Sequence, residues 1–121
     1  VKTLIRKNIK VNGATILMLG FTFKENCPDV RNTKIVDVVK SLEEYSTKVT
    51  IYDPWANSDE VKHEYGLTCH ATLDSDIKYD AIVLGVAHNE FKILDLASLK
   101  KENAVVYDVK GVLGSLADAK L

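Results

Sequence analysis

Cysteine is scarce in this chain of 121 residues, and neither sign of charge predominates. The two cysteines, Cys27 and Cys69, lie far apart and outside any CxxC pair, so neither a disulfide framework nor a structural zinc site is expected. Free thiols fit a reducing cytoplasm. With 16 basic and 17 acidic residues the formal net charge is −1, which gives no electrostatic reason to expect nucleic acid or an anionic membrane surface as a partner.

Long apolar runs and a secretion signal are also lacking. The longest apolar stretches, such as residues 81–87, are far shorter than the roughly 20 residues that cross a bilayer. The chain starts Val1-Lys2-Thr3, without an initiator Met and without a signal-peptide profile. Apolar residues make up 46% and charged residues 27% of the chain, so the composition predicts one folded domain rather than a disordered segment. We expect a cytoplasmic fragment of a longer protein.

Short apolar runs alternate with helical patterns along the chain. Strands are predicted over residues 14–19, 48–52, 67–69, 80–85 and 104–107, and helices after residue 33, over 58–65 and over 94–101. Asn32 or Thr33 can cap the first of these helices. The alternation predicts a three-layer, Rossmann-like α/β domain with a mainly parallel central sheet. We interpret residues 1–12 as the end of a linker helix from an upstream region, and residues 13–121 as a single C-terminal domain.

The predicted sheet has the first strand at its centre, the second and third on one side, and the fourth and fifth on the other. Ligands of such sheets bind outside the carboxyl ends of the strands, where the direction of winding reverses. The loops 20–32 and 85–91 meet at that point, and Asp53 and Lys110 follow the ends of outer strands. A binding site is therefore expected at this edge of the sheet.

The loop of residues 20–32 is the most informative stretch. It is long for a connection between a strand and a helix, and it carries Lys24 and Arg31 ahead of a helix N-terminus, a combination that suits phosphate. Phe21 and Phe23 could stack on a base, or both could be core residues while the charges only solvate the loop. Gly20 stands alone, so neither a GxGxxG nor a P-loop pattern is present.

The wording of this loop, Gly-Phe-Thr-Phe-Lys-Glu-Asn-Cys-Pro-Asp-Val-Arg-Asn-Thr over residues 20–33, resembles the C-terminal signature of the UDP-glucose/GDP-mannose dehydrogenase family. Tyr-Asp-Pro at 52–54, Tyr-Asp-Ala-Ile-Val-Leu at 79–84, His-Asn-Glu-Phe at 88–91 and Val-Tyr-Asp-Val-Lys-Gly at 106–111 agree with it in order and spacing. The resemblance covers residues 13–116. It is strongest to the branch that oxidises UDP-N-acetylhexosamines for surface polysaccharides.

The resemblance implies an enzyme in which two molecules of NAD oxidise the C6 alcohol of a UDP-sugar to a carboxylate. An N-terminal domain would hold NAD and a middle domain would supply the nucleophilic cysteine, so this chain would carry no catalytic residue. The C-terminal domain would bind the nucleotide end of the sugar, with the remaining domains of the same polypeptide as partners and a homo-oligomeric full-length enzyme.

By position in the family motif, Phe23 and Lys24 would line the UDP site, and Arg31 would reach the NAD pyrophosphate. Lys110 lies where family members place a basic residue for the nucleotide sugar. Some members have an Arg-Arg pair in that segment, whereas this chain has Lys110-Gly111.

Several other residues allow a functional and a structural interpretation. Cys27 lies near two cations but has no evident general base beside it, and Cys69 is expected to be a small buried residue. His88 could be a general base or a hydrogen-bonded residue in a tight turn. Asp53 could end its strand as a turn or bind a ribose. The remaining histidines, His63 and His70, are too scattered for a metal site.

A rival class is a stand-alone Rossmann-like module that senses a ligand or binds a partner. A receiver-type module needs an acidic pair at the end of the first strand, where this chain has Gly20-Phe21. A complete small NAD-binding protein would need the glycine fingerprint that is lacking here. The lack of the acidic pair and the lack of the glycine fingerprint both favour the dehydrogenase domain over these alternatives.

Overall fold

The fold is given by a computed structural model, which describes residues 13–31, 33–73, 77–86, 88–92, 96–108 and 119–120. Within these residues the elements follow in the order β1 (Thr15–Leu19), α1 (Ile35–Glu43), β2 (Lys48–Tyr52), α2 (Ser58–Tyr65), β3 (Cys69–His70), β4 (Tyr79–Leu84), α3 (Asn89–Lys92), α4 (Leu96–Leu99), β5 (Lys100–Asp108) and β6 (Ala119–Lys120). None of the described helices is long and apolar enough to span a bilayer.

The six described strands form one sheet in the order β3-β2-β1-β4-β5-β6, and each neighbouring pair runs parallel. The first strand is central, and the winding reverses between β1 and β4. The predicted α/β class, the parallel sheet and the strand order are thus confirmed. The edge strand β6 was not predicted.

Two apolar cores cover the faces of the sheet. Ile16 and Met18 of β1 belong to one core, which α1 and α2 close, and Leu17 and Leu19 belong to the other, which contains Phe91 of α3 and Leu99 of α4. Alternate side chains of a strand point to opposite faces, so a strand buried on both faces must be apolar throughout. This explains the continuous apolar run of β1 and gives the three layers that the sequence predicts.

The ends of the helices agree in part with the predictions. Helix α2 has the predicted bounds: the Asn57 side chain accepts a hydrogen bond from the Glu60 N–H at 3.0 Å, and Gly66 ends the helix at φ 71°. Thr33 Oγ1 accepts the Ile35 N–H at 3.2 Å, although the residue at the cap position of α1 is Lys34. Asn32 and the predicted helix of residues 1–12 lie outside the described residues.

The predicted helix over residues 94–101 is wrong at its C-terminal end. The helix ends at Leu99, and Lys100 and Lys101 begin the nine-residue strand β5. Lys100 pairs with Tyr79 of β4, and the Lys101 ammonium lies 3.3 Å from the Asp80 carboxylate. Pairing with a neighbouring strand overrides the helical propensity of these two lysines.

Candidate functional site

The carboxyl ends of β1, β2 and β4 meet at Gly20. Its backbone φ is +95°, and a Cβ atom added to it would lie 2.6 Å from the Val86 Cβ. Its N–H donates to the Tyr52 carbonyl at 2.9 Å. Only glycine fits both this left-handed conformation and this close approach. Gly20 therefore starts the β1–α1 loop, residues 20–31, directly over the point where the winding reverses.

The Asp53 carboxylate, which is fully buried, ties this loop to the end of β2. Its Oδ2 accepts the N–H groups of Phe21 at 2.6 Å and Thr22 at 3.1 Å, and its Oδ1 accepts those of Trp55 at 2.8 Å and Ala56 at 3.2 Å. The Oδ1 contacts confirm the predicted turn. Because both oxygens are saturated inside the protein, Asp53 is not available to bind a ribose.

The protonation of Asp53 is set by opposing effects. Burial raises the pKa of the carboxyl, but hydrogen bonds from His88 and from the amides of Phe21 and Trp55 together outweigh it, so the pKa lies below its usual value. The group is therefore a carboxylate at neutral pH, an acceptor for every donor around it.

The His88 ring is the second buried polar group, and none of its side chain is exposed. Its Nδ1 accepts the Asn26 N–H at 2.8 Å, which places the proton of the neutral ring on Nε2. Nε2 then lies 3.0 Å from Asp53 Oδ2 and 3.1 Å from Thr22 Oγ1. The Thr22 hydroxyl donates to the Lys24 carbonyl at 2.9 Å, so it can accept from the ring.

These contacts decide between the two interpretations of His88. Both ring nitrogens are engaged by protein groups, and the ring does not reach the surface, so it cannot act as a general base on a bound substrate. Asp53 and Thr22 share the same nitrogen, unlike the two partners of the base in a catalytic triad. The structural interpretation is confirmed: the His88 N–H donates to the Val86 carbonyl and its own carbonyl accepts the Phe91 N–H, each at 3.0 Å.

The two phenylalanines of the loop have opposite surroundings. Phe21 is fully buried and packs edge-on against Tyr65, with 5.4 Å between the ring centroids. Phe23 is 56% exposed, and Lys24 beside it is exposed as well. The Phe23 N–H donates to the Asp29 carbonyl at 2.6 Å, which closes the loop. The structure thus presents one aromatic ring and one cation side by side on an anchored backbone.

Arg31 is exposed over 78% of its side chain and is held by Asp29, a residue that the sequence analysis did not single out. Asp29 Oδ1 lies 3.1 Å from Arg31 Nε, and Oδ2 lies 3.1 Å from Nη2. The side-chain hydrogen bond raises the pKa of the guanidinium and lowers that of the Asp29 carboxyl. The carboxylate, two residues from the arginine, could have been recognised as a local bidentate partner.

The structure describes the two cysteines singled out in the sequence but does not describe Lys110. Cys69 is buried, which raises the pKa of its thiol to about 12. Cys27 is half-buried and is not a partner of His88. No cluster of His, Cys, Asp or Glu among the described residues could hold a metal ion. Strand β5 ends beside β4 at the same edge of the sheet, but Lys110 lies outside the described residues.

A parallel, doubly wound sheet with a cation-bearing loop at its reversal point is typical of Rossmann-like α/β domains, whose ligands bind at this edge of the sheet. The model of the UDP-glucose/GDP-mannose dehydrogenase family, UDP binding domain, matches residues 17–115, and the chain belongs to this family.

Individual relatives agree with membership of this family. The chain is 49% identical over 116 residues to the UDP-N-acetyl-D-glucosamine 6-dehydrogenase of Salmonella typhi, and 47% identical over 116 residues to that of Pseudomonas aeruginosa. Each alignment covers 93% of this chain and 27% of the relative, so the chain spans about a quarter of their length. The fold is similar to the crystal structure of NDP-N-acetyl-D-galactosaminuronic acid dehydrogenase from Methanosarcina mazei, with a TM-score of 0.76, 24% identity, and coverage of 88% of this chain and 22% of that one.

Proposed function

We propose that the chain is the C-terminal, nucleotide-sugar-binding domain of an NAD-dependent UDP-sugar 6-dehydrogenase. The full polypeptide would oxidise a UDP-hexose or UDP-N-acetylhexosamine to the uronic acid for polysaccharide biosynthesis in the cytoplasm. Residues 1–12 would end a linker helix, residues 13–121 would form this domain, and the full enzyme would be a homo-oligomer. The observation that carries the proposal is the exposed Phe23–Lys24 pair on an anchored loop at the reversal point. The family match favours this function over a stand-alone sensing module.

The chemistry of the loop tip suits a nucleotide diphosphate. The Lys24 ammonium can balance phosphate charge as a compact cation, and the Phe23 ring offers an apolar face to the base or sugar. No acidic side chain of the described chain forms an ion pair with Lys24. Holding the nucleotide here would orient a C6 group that reacts elsewhere, because binding energy from a remote part of a substrate can position the reacting atom.

NAD would be held mainly by other domains of the polypeptide, with Arg31 as this domain's contribution. When bound, NAD supplies the acceptor for hydride. Asp29 engages Nε and Nη2 of Arg31, so the guanidinium, which has five N–H donors, keeps others for a pyrophosphate. Asp29 would hold the fork in place while those donors face outward. Lys110 would add a second basic contact to the nucleotide sugar.

The test is Lys24→Ala in the full-length enzyme, with Lys40→Ala as the control. Lys40 is an exposed lysine on α1, away from the loop. A lost charge-assisted hydrogen bond is worth about 1.5–3 kcal/mol, so kcat/KM for the UDP-sugar should fall roughly 10- to 150-fold. Lys40→Ala should leave it unchanged. If both variants keep the wild-type kcat/KM, the Phe23–Lys24 pair is not the nucleotide-sugar site.

A further inference from the structure

The β1–α1 loop turns at Asn26, and two separate contacts fix that turn. Asn26 has a left-handed backbone, with φ of 54°. Its N–H donates to His88 Nδ1 at 2.8 Å, and its side-chain Oδ1 accepts the Asn89 N–H at 2.9 Å. Both partners belong to the segment that follows β4. The exposed turn of the β1–α1 loop is therefore held by two successive residues, the buried His88 and the exposed Asn89.

The His88 ring is in turn held by groups that leave it little freedom. Its Nε2 faces Asp53 Oδ2 at 3.0 Å, and the rings of Trp55 and Phe91 lie against it at centroid distances of 5.9 and 5.3 Å. The Trp55 indole N–H donates to Glu90 at 2.9 Å, which fixes the stacked ring. The imidazole thus connects the turn at Asn26 to the carboxylate of Asp53, which lies 35 residues before His88 in the sequence.

We propose that His88, oriented by Asp53, is a positioning residue for nucleotide-sugar binding: it sets where the loop presents Phe23 and Lys24. This inference rests on the proposed function of the loop tip. Neither Asp53 nor His88 touches the ligand, because both side chains are fully buried. Their role is to hold the turn at Asn26, two residues beyond Lys24.

The positioning role depends on which nitrogen of the His88 ring carries the proton. The Asn26 N–H needs an acceptor, and only an unprotonated Nδ1 provides one. Asp53 stabilises that form because its carboxylate takes the proton-bearing Nε2. With the proton on Nδ1 instead, two N–H groups would face each other and the turn would lose its inner contact.

Two substitutions of His88 distinguish the contact of Nδ1 with Asn26 from the contact of Nε2 with Asp53. In His88→Asn the side-chain oxygen stands near the position of Nδ1, so it retains an acceptor for Asn26 but loses the donor to Asp53. In His88→Gln the amide nitrogen stands near the position of Nε2, so it retains the donor to Asp53 but leaves the Asn26 N–H without its acceptor. His63→Gln, at an exposed residue of α2, is the matched control.

The proposal predicts that KM and stability respond to different ends of the ring. In the full-length enzyme His88→Gln should raise KM for the UDP-sugar about fivefold, the effect of one hydrogen bond, with the smaller loss of stability. His88→Asn should lose more stability but raise KM less. His63→Gln should match the wild type in both. A KM that follows stability, with the larger rise in His88→Asn, would show a purely structural role and overturn the proposal.

A second measurement, on the 121-residue chain, separates this proposal from the proposed function. In ¹⁵N NMR spectra the His88 ring should have a bare Nδ1 and a protonated Nε2, and His88→Gln should shift the amide signals of residues 22–26. If the ring is the other tautomer, or if those signals do not move, the positioning role fails whatever the loop binds. If they move as expected but neither wild-type nor variant enzyme uses a UDP-sugar, the positioning of the loop is supported and the proposed function fails.

Discussion

Two aspartates join strands at opposite edges of the sheet, and their surroundings differ. At the amino edge, Asp80 of β4 accepts the Thr15 N–H at 2.8 Å and the Thr15 hydroxyl at 3.2 Å, and it lies 3.3 Å from the Lys101 ammonium. Its side chain is 21% exposed. At the carboxyl edge, Asp53 is fully buried, and its partners are four backbone N–H groups and a neutral histidine.

The difference explains where charge is available on the surface. The amino edge satisfies its carboxylate with a lysine, so that cation is paired within the domain. At the carboxyl edge, backbone N–H groups and the His88 imidazole donate to Asp53, so the Lys24 ammonium is not needed as its partner. The network instead fixes the backbone of the loop that carries Lys24. At the amino edge Asp80 links neighbouring strands, whereas at the carboxyl edge Asp53 holds the backbone of the β1–α1 loop.

The largest expected effect that separates the two edges is on stability. Asp53→Asn places an amide NH₂ against backbone N–H groups inside the protein, and breaking such a buried charged network costs about 3–5 kcal/mol. Asp80→Asn loses a partly exposed pair and keeps one acceptor oxygen, which should cost about 1 kcal/mol. Urea denaturation of the two variants gives both free energies of unfolding. Equal losses would show that the buried network is no more important than the tie at the amino edge.

A smaller effect is expected from the two glycines that flank β1. Gly13, at the amino edge, has φ +84° and nothing within 4 Å of an added Cβ, whereas Gly20 has φ +95° and Val86 in the way. Gly13→Ala should therefore cost only the backbone strain, about 1–2 kcal/mol. Gly20→Ala adds overpacking and should cost about 3 kcal/mol. The same denaturation experiment checks this prediction. A Gly20→Ala variant no less stable than Gly13→Ala would contradict the close approach of Val86 to Gly20.

Most of the fold could be predicted from sequence because burial on two faces imposes an apolar run. Residues 48–52 and 58–65 were predicted with the bounds that the structure gives. The strand order followed from the rules for parallel crossovers and is confirmed. The error at Lys100 and Lys101 arose because local propensity does not take a partner strand into account: two more residues of β5, 102 and 103, follow those lysines before its apolar part begins at Ala104.

The candidate site was only partly accessible to the same approach. Loop length and charge indicated the β1–α1 loop as the site. The hydrophobic pattern of the sequence, however, does not distinguish the buried Phe21 from the exposed Phe23. The Asp53–His88 contact joins residues 35 positions apart, on two different loops. A single histidine and a single aspartate have many possible partners, so their pairing requires the three-dimensional fold. The family resemblance predicted roles for Phe23, Lys24, Arg31 and Lys110, and those roles remain predictions.

The most direct test of the binding loop is an NMR titration of the 121-residue chain with UDP. We expect binding in the millimolar range, about −4 kcal/mol, because the other domains would supply much of the cleft. Amide shifts should be confined to residues 20–33, 85–91 and 108–112, and Lys24→Ala should abolish them while Lys40→Ala does not. Shifts elsewhere, with these three segments silent, would contradict a nucleotide site at the carboxyl edge of the sheet.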